Sequence, residues 1–335
     1  MRPNAARTLT SPVLLLCLAV AARPTEARAP EPPLSREASV QAIIESELGR
    51  ADQTLSPTAA VVVVLDARSG RVVAMAGREH GRSTPTLGRE RAWVTGSTLK
   101  PLTLAAALDA GAVTADTVVD CAPRRYAQGE LHDWKLFGRL ALRDAIAVSS
   151  NVASSRVLDA LGLARLLSSQ RALGLFDAPG TWPEITDPTG LDAAKYAAGE
   201  LAMTSPLRLA SAYAALFDEG RYHAPTGGSE VVFQPKTAAT MLDILEQAVA
   251  GPLGTGRAAM IPGHRVAGKT GTAELPDGRA DHAGSTWASF VGAVLDVTPR
   301  EVILVGFEGV PDGSGGKVAA PVFARIATRM LALAP

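Results

Sequence analysis

Cysteine is scarce in this 335-residue chain, which holds two, Cys17 and Cys121. With an N-terminal leader removed, Cys121 stands alone. No internal disulfide is then expected, and the remaining thiol reads as a small buried apolar residue. Net charge is lacking as well. Lys plus Arg and Asp plus Glu number 33 each, and no dense basic run occurs, so nothing favours nucleic acid as a partner. No apolar run reaches the roughly 20 residues that a membrane-spanning helix needs. The five histidines, at positions 80, 132, 223, 264 and 282, form no His-x-x-x-His pair with a carboxylate. No metal site and no cofactor is therefore expected, and His132-Asp133-Trp134 reads as a packed loop.

Apolar residues are plentiful, at 47%, enough for a sizeable core in one large domain or two ordinary ones. At the N-terminus, Arg2 and Arg7 precede an apolar stretch from Pro12 to Ala22 that contains the small-residue trio Ala19-Val20-Ala21. Residues 1–22 thus read as an export signal, and the bulky Leu16 before Cys17 argues against a lipoprotein site. Residues 23–35, rich in Pro, Ala and charge, read as a linker. An exported, periplasmic or otherwise extracytoplasmic protein follows. It would be membrane-tethered if the signal is kept, and peripheral or free of the membrane if it is not.

Hydrophobic spacing predicts a helix over 36–50, through Val40, Ile43, Ile44 and Leu48. Ala59–Leu65 and Arg71–Ala76 read as a β-hairpin turning at Asp66–Gly70. A helical middle follows. Ser97–Ala110 stops at Gly111, a suitable residue just past a helix end. Leu140–Val148 and Val152–Leu161 flank the polar Ser149-Ser150-Asn151, Ser205-Pro206 opens a helix that ends near Gly220, and Thr237–Ala250 is another. Strands return at His264–Thr272, Thr286–Asp296 and Glu301–Glu308, with Thr298-Pro299-Arg300 as the tight connection, and a helix from Pro321 to Leu333 closes the chain. The expected fold is α/β of the α+β kind: an antiparallel sheet built from N- and C-terminal strands, helices on both faces, and an inserted helical subdomain.

Three short segments carry the chemistry. Ser97 and Lys100 are three apart at a helix start, so hydroxyl and amine share a face. A serine hydroxyl is a poor nucleophile until a neighbour takes its proton, and lysine can do so only as the free amine, with its pKa lowered by burial or a nearby cation. Ser149 and Asn151 sit in a polar turn that can aim both side chains into a cleft, one to relay a proton, the other to donate and accept hydrogen bonds. Lys269-Thr270-Gly271-Thr272 ends a strand. Lys269 brings a second positive charge that would help keep Lys100 neutral, Thr270 and Thr272 can hold a carboxylate, and Gly271 leaves the backbone open to a ligand. An edge-strand amide there can join the Ser97 amide as an oxyanion hole. Each segment alone is common, as a solvated helix turn or an N-cap. The ordered triple Ser-x-x-Lys, Ser-x-Asn, Lys-Thr-Gly is not.

Gly96-Ser97-Thr98-Leu99-Lys100-Pro101 resembles the nucleophile segment of class B penicillin-binding proteins. Gly254-Thr255-Gly256 with Val266–Glu274 resembles their third-motif region, Thr204–Leu216 a helix of the same domain, and Gly315–Phe323 its C-terminal segment. The resemblance spans roughly residues 55–332. It implies a transpeptidase-like catalytic domain over 36–335, action on D-Ala-D-Ala stem peptides of peptidoglycan, β-lactam binding and possible cell-wall synthesis partners. Such proteins usually carry a membrane anchor and a long non-catalytic domain first, whereas only a short stretch separates the expected signal from the first strand here. A D,D-carboxypeptidase or a serine β-lactamase stays open. Glu184 and Glu200 lie where a hydrolytic glutamate would, neither in an omega-loop motif. Class D enzymes share Ser-x-x-Lys but usually have valine at the Asn151 position. A non-enzymatic β-lactam sensor is a further alternative. Gly263–Thr270 also fits a nucleotide-binding P-loop, but the turn chemistry of Leu275-Pro276-Asp277-Gly278 follows where a helix is required.

Overall fold

Val61, Val62, Val63 and Val64 are consecutive and wholly buried, as in a strand covered on both faces. They lie in β1 (Ala59–Asp66), whose apolar run is continuous because neither face meets water. Residues 35–176, 185–275, 286–311 and 313–333 are described by this computed structural model. The expected export signal, nearly all of the linker, Glu184, His282 and the turn at Pro276–Gly278 lie outside them. Everything described belongs to one compact unit.

β1 pairs on one side with β2 (Val72–Glu79), which turns into the two-residue β3 (Arg82–Ser83). On its other side it pairs with the last strand. That strand, β6 (Glu301–Glu308), follows β4 (Val266–Glu274) and β5 (Thr286–Val294). The order is β4-β5-β6-β1-β2-β3, every pair antiparallel. One sheet is thus closed between the two ends of the described chain, with Val62 opposite Val305, and β4 is its edge. The hairpin, the C-terminal strands and the insertion between β3 and β4 fall where the sequence places them.

The pleat sorts the core. Ala60, Val62 and Val64 join the cluster of α1 (Arg36–Leu55) and α9 (Ala320–Leu331), which includes Ile44, Leu48, Phe323 and Ile326. Val61, Val63 and Leu65 join the helical insert. Each such buried aliphatic side chain contributes about 2 kcal/mol. α1 runs on to Leu55, past the expected end at residue 50, and Gly49 within it has no neighbouring atom to crowd. Buried Glu47 accepts from Arg325 and Arg329, clamping α1 to α9.

The insert is helical, as expected. It contains α2 (Lys100–Asp109), α3 (Leu142–Ala147), α4 (Asn151–Leu161), α5 (Leu163–Ala172), α6 (Leu191–Ala198), α7 (Pro206–Phe217) and α8 (Pro235–Ala250). Four small strand pairs interrupt it, among them Trp93–Val94 with Met203–Thr204. α2 is buried nearly all round, so its Leu and Ala residues serve as a central post.

One cluster ties the sheet to the start of that post. The buried Glu308 carboxylate, at the end of β6, accepts from Arg91 Nη2 at 2.8 and 2.7 Å and from Trp93 Nε1 at 2.5 Å. Trp93 stacks on Trp287 of β5 at 4.4 Å. Residues 91–93 are held in place just ahead of Ser97. Replacing Glu308 with Ala leaves the indole N–H and part of the guanidinium without partners. Hydrogen bonds to charged groups are worth about 1.5–3 kcal/mol, so E308A should lose about 2 kcal/mol of stability, read as a lower urea midpoint with unchanged slope.

Candidate active site

Ser97 stands on a single 3-10 turn, Gly96–Thr98, that runs into α2. The sequence predicts one continuous helix from Ser97. The tighter turn instead brings positions i and i+3 into eclipse, and the Ser97 Oγ and Lys100 Nζ atoms are hydrogen-bonded at 2.6 Å. Three bonds hold the turn. Thr98 Oγ1 donates to Thr95 O at 2.6 Å, Leu99 N to Gly96 O at 3.1 Å, and the buried Tyr213 hydroxyl of α7 to Thr98 O at 2.6 Å. Gly96 has φ +54° and lies against the backbone of Thr272 in β4, where a Cβ would come within 2.9 Å of the Thr272 carbonyl oxygen. Conformation and contact both require glycine there.

Lys100 is 1% exposed, and Nζ also donates to Ala198 O at 2.9 Å. Burial lowers its pKa to about 8, and the carboxylates of Glu200 and Asp133 stop it from falling further. Lys269 is fully buried. Its amine donates to Ser149 Oγ at 3.0 Å and Thr270 O at 3.1 Å. Its pKa is pushed well down, first by burial and then by the charge on Lys100. Burial is the main cause of the lowered pKa at both lysines, and the two amines are close enough to disfavour each other's charge, which fits the expectation that Lys269 helps keep Lys100 neutral.

Ser149 occupies the turn between α3 and α4 at φ +68°, a left-handed conformation uncommon for serine. The neighbouring Ser150 caps α4, accepting from Ala153 N at 2.9 Å. N-cap and cleft readings of Ser149-Ser150-Asn151 therefore both hold, divided among the three residues. Asp133 is buried beneath the turn. It accepts from Ser150 Oγ (2.6 Å), Asn151 N (2.5 Å) and Val152 N (3.1 Å), placing an anion at the start of α4 where the helix dipole favours one. Of His132-Asp133-Trp134, expected as a packed loop, only Asp133 is buried, and His132 and Trp134 are exposed. Asn151 Nδ2 donates to Glu200 Oε1 at 2.9 Å and to His132 O at 3.2 Å. Both amide hydrogens are taken, leaving Oδ1 for a ligand N–H.

Ser97, Lys100, Ser149, Asn151, Thr270 and Thr272 line one cleft of about 530 Å³. Two site residues of the third motif stand elsewhere. Lys269 lies behind the wall, in mid-strand, and reaches the cleft through the hydroxyls of Ser149 and Thr270. Gly271, expected as a point of ligand approach, has a packing role as well. A Cβ there would come within 2.5 Å of Ser289 Oγ and 2.8 Å of Thr98 Cγ2, so its missing side chain lets β4 pack on the Ser97 turn. The P-loop reading fails for a related reason: Lys269 and Thr270 run on in a strand, not into a helix.

The cleft lining also includes Thr255, Lys317, Trp134 and Glu200, to which the sequence assigns no place among the site residues. Thr255 pairs its hydroxyl with that of Thr270 at 2.7 Å. Lys317 follows Gly315, whose N donates to Thr272 Oγ1 at 3.2 Å. Trp134 is 66% exposed at the rim, anchored by Nε1 to Val148 O at 3.0 Å. Glu200, outside any omega-loop motif, reaches the cleft beside Asn151. Thr255 and Lys317 lie in segments that carry the resemblance, and that was the available signal. Gly271→Ala should cost about 1–3 kcal/mol by overpacking, measured as a lower thermal midpoint. Adding Ser289→Gly, which removes the nearest clash, should recover part of it.

Residues 60–328 match the penicillin binding protein transpeptidase domain. Peptidoglycan D,D-transpeptidase FtsI of Escherichia coli K12 is 29% identical over 323 residues, which cover 88% of this chain and 54% of that protein. The probable peptidoglycan D,D-transpeptidase PenA of Neisseria gonorrhoeae is 29% identical over 325 residues, 88% and 55% of the two chains. The chain spans about half the length of these relatives. Among solved structures, the TP domain of Burkholderia pseudomallei penicillin-binding protein 3 superposes with a TM-score of 0.75 at 26% identity, over 88% of this chain and 94% of that one. The transpeptidase domain of FtsI4 from Legionella pneumophila gives 0.68 at 27%, over 88% and 96%. With the family matched across most of its length, the chain belongs to the penicillin binding protein transpeptidase domain family.

Proposed function

We propose that this domain is a D,D-transpeptidase that cross-links peptidoglycan stem peptides through an ester on Ser97. The observation that carries the proposal is the 2.6 Å contact between Ser97 and the buried amine of Lys100, whose pKa is lowered to about 8. An amine at that pKa is free in useful amounts near neutral pH, and the proton it must take lies on the neighbouring oxygen.

Ser97 gives its proton to Lys100, and Oγ attacks the carbonyl carbon between the two terminal D-alanines. The amides of Ser97 and of Thr272 on the edge strand receive the oxyanion, each donor worth about 3–4 kcal/mol of barrier. The C–N bond breaks as the proton passes to the leaving amine by way of Ser149, which Lys269 holds. Asn151 Oδ1 accepts from a substrate backbone N–H. Thr270 and Thr272 take the terminal carboxylate, with Lys269 behind them. An amine from a second stem peptide then attacks the ester and restores Ser97. β-Lactams would acylate the same oxygen as substrate mimics. The substrate class places the domain outside the cytoplasm, in keeping with the export signal read in residues 1–22, and within reach of cell-wall synthesis partners. No described helix is long and apolar enough to cross a membrane.

The pH dependence follows from Lys100. Its pKa is lowered from 10.5 to about 8, and the reactive form is the deprotonated one. About a tenth is reactive at pH 7 and most of it at pH 9, so acylation should rise about tenfold across that window. A pH-independent rate would remove Lys100 as the base. Incubation with benzylpenicillin should add one drug mass to the intact protein, at Ser97. Absence of the adduct on wild type, or its survival in Ser97→Ala, refutes the acyl-serine reading.

A further inference from the structure

Glu200 is the one acidic side chain that lines the cleft among the described residues. The fold fixes it there. Lys100 Nζ donates to Ala198 O (2.9 Å), Gly96 N to Gly199 O (3.0 Å) and Thr95 N to Ala202 O (2.7 Å). Residues 198–202 are therefore stapled to the Ser97 segment on both sides of Glu200. Its Oε1 accepts from Asn151, and no basic side chain pairs with it among the described residues.

The Glu200 charge favours the ammonium form of Lys100, and a carboxylate without a direct ion pair is a poor fit to the first half of the reaction, because it repels a substrate that ends in a carboxylate. It suits the second half. Once D-alanine has left, a neutral ester remains on Ser97, and an attacking water must lose a proton as it forms the new bond. Lys100 is a free amine again once the leaving group has taken the proton, but the oxygen it faces is now esterified. Glu200 is a second proton acceptor at the same cleft.

We infer that Glu200 is the general base for hydrolysis of the Ser97 ester, so that the domain is also a D,D-carboxypeptidase; this rests on the acyl-serine reading above. Glu200 takes one proton of a water whose oxygen bonds to the acyl carbon. The tetrahedral intermediate collapses, the bond from that carbon to Ser97 Oγ breaks, and Oγ recovers the proton. One water is consumed, and the shortened peptide leaves with a free carboxyl group.

The test measures D-alanine release from Nα,Nε-diacetyl-L-Lys-D-Ala-D-Ala with no added amine. Wild type should turn over. Glu200→Gln can still accept from Asn151 but cannot take a proton, and it should fall about 100-fold in kcat, while benzylpenicillin still labels it at Ser97 as proof of a folded site. Glu200→Asp should recover part of the rate. Equal turnover by wild type and E200Q overturns the inference, and so does release by wild type only when an amine is supplied. Failure of benzylpenicillin to label wild-type Ser97 removes both readings together, whereas normal labelling with amine-dependent release removes this one alone.

Discussion

The whole constellation depends on strand β4 lying directly on the Ser97 turn. Two glycines face each other across that contact. A Cβ on Gly96 would strike the Thr272 backbone, and one on Gly271 would strike Thr98 and Ser289. With no side chain between them, the edge of the sheet and the end of the central helix come within backbone distance, and the cleft opens along their seam. Ser97 and Lys100 arrive from the helix, Lys269 and Thr272 from the strand. The turn before α4 closes the third side.

The electrostatics of that seam are costly. Two amines are buried within one site, and removing an ammonium from water is unfavourable unless its donors find acceptors. Here they do: Lys100 has Ser97 Oγ and Ala198 O, and Lys269 has Ser149 Oγ and Thr270 O. The remaining mismatch appears as lowered pKa values at both lysines. The Glu308 cluster and the wholly buried β1 supply rigidity beyond the site and hold it in this state. The positive φ of Ser149 is a further local strain of the kind that surrounding structure must over-determine.

Much of this was legible in the sequence, for identifiable reasons. Strands buried on both faces write themselves as apolar runs, so β1 and β6 could be placed within a residue or two. Ser205-Pro206 announced α7, since the capping hydroxyl and the proline each fit one position there. The ordered motifs located the site. What stayed hidden depends on contacts between distant segments. Glu200 is set by backbone bonds between residues 95–100 and 198–202, and such bonds leave no side-chain signature. Gly271 also makes room for Thr98 and Ser289, and only packing reveals that. The third-motif strand is expected to end at Thr272, where the motif stops, while the strand continues to Glu274. The two-residue pairings, such as that of Trp93–Val94, are too short for any periodicity to register.

The sheet that brings the two chain ends together has a consequence for how the molecule comes into being. β1 is complete on one side as soon as β2 follows it, but its other side stays open until β6 emerges, near the end of the chain. Throughout synthesis, an unpaired and almost wholly aliphatic strand edge would be exposed, the kind of surface that recruits other chains. The cleft shares the same schedule, since β4 belongs to the late half of the sheet. A product lacking β4 would not bring Thr270 and Thr272 to Ser97, so the cleft is assembled only once that strand has joined the sheet.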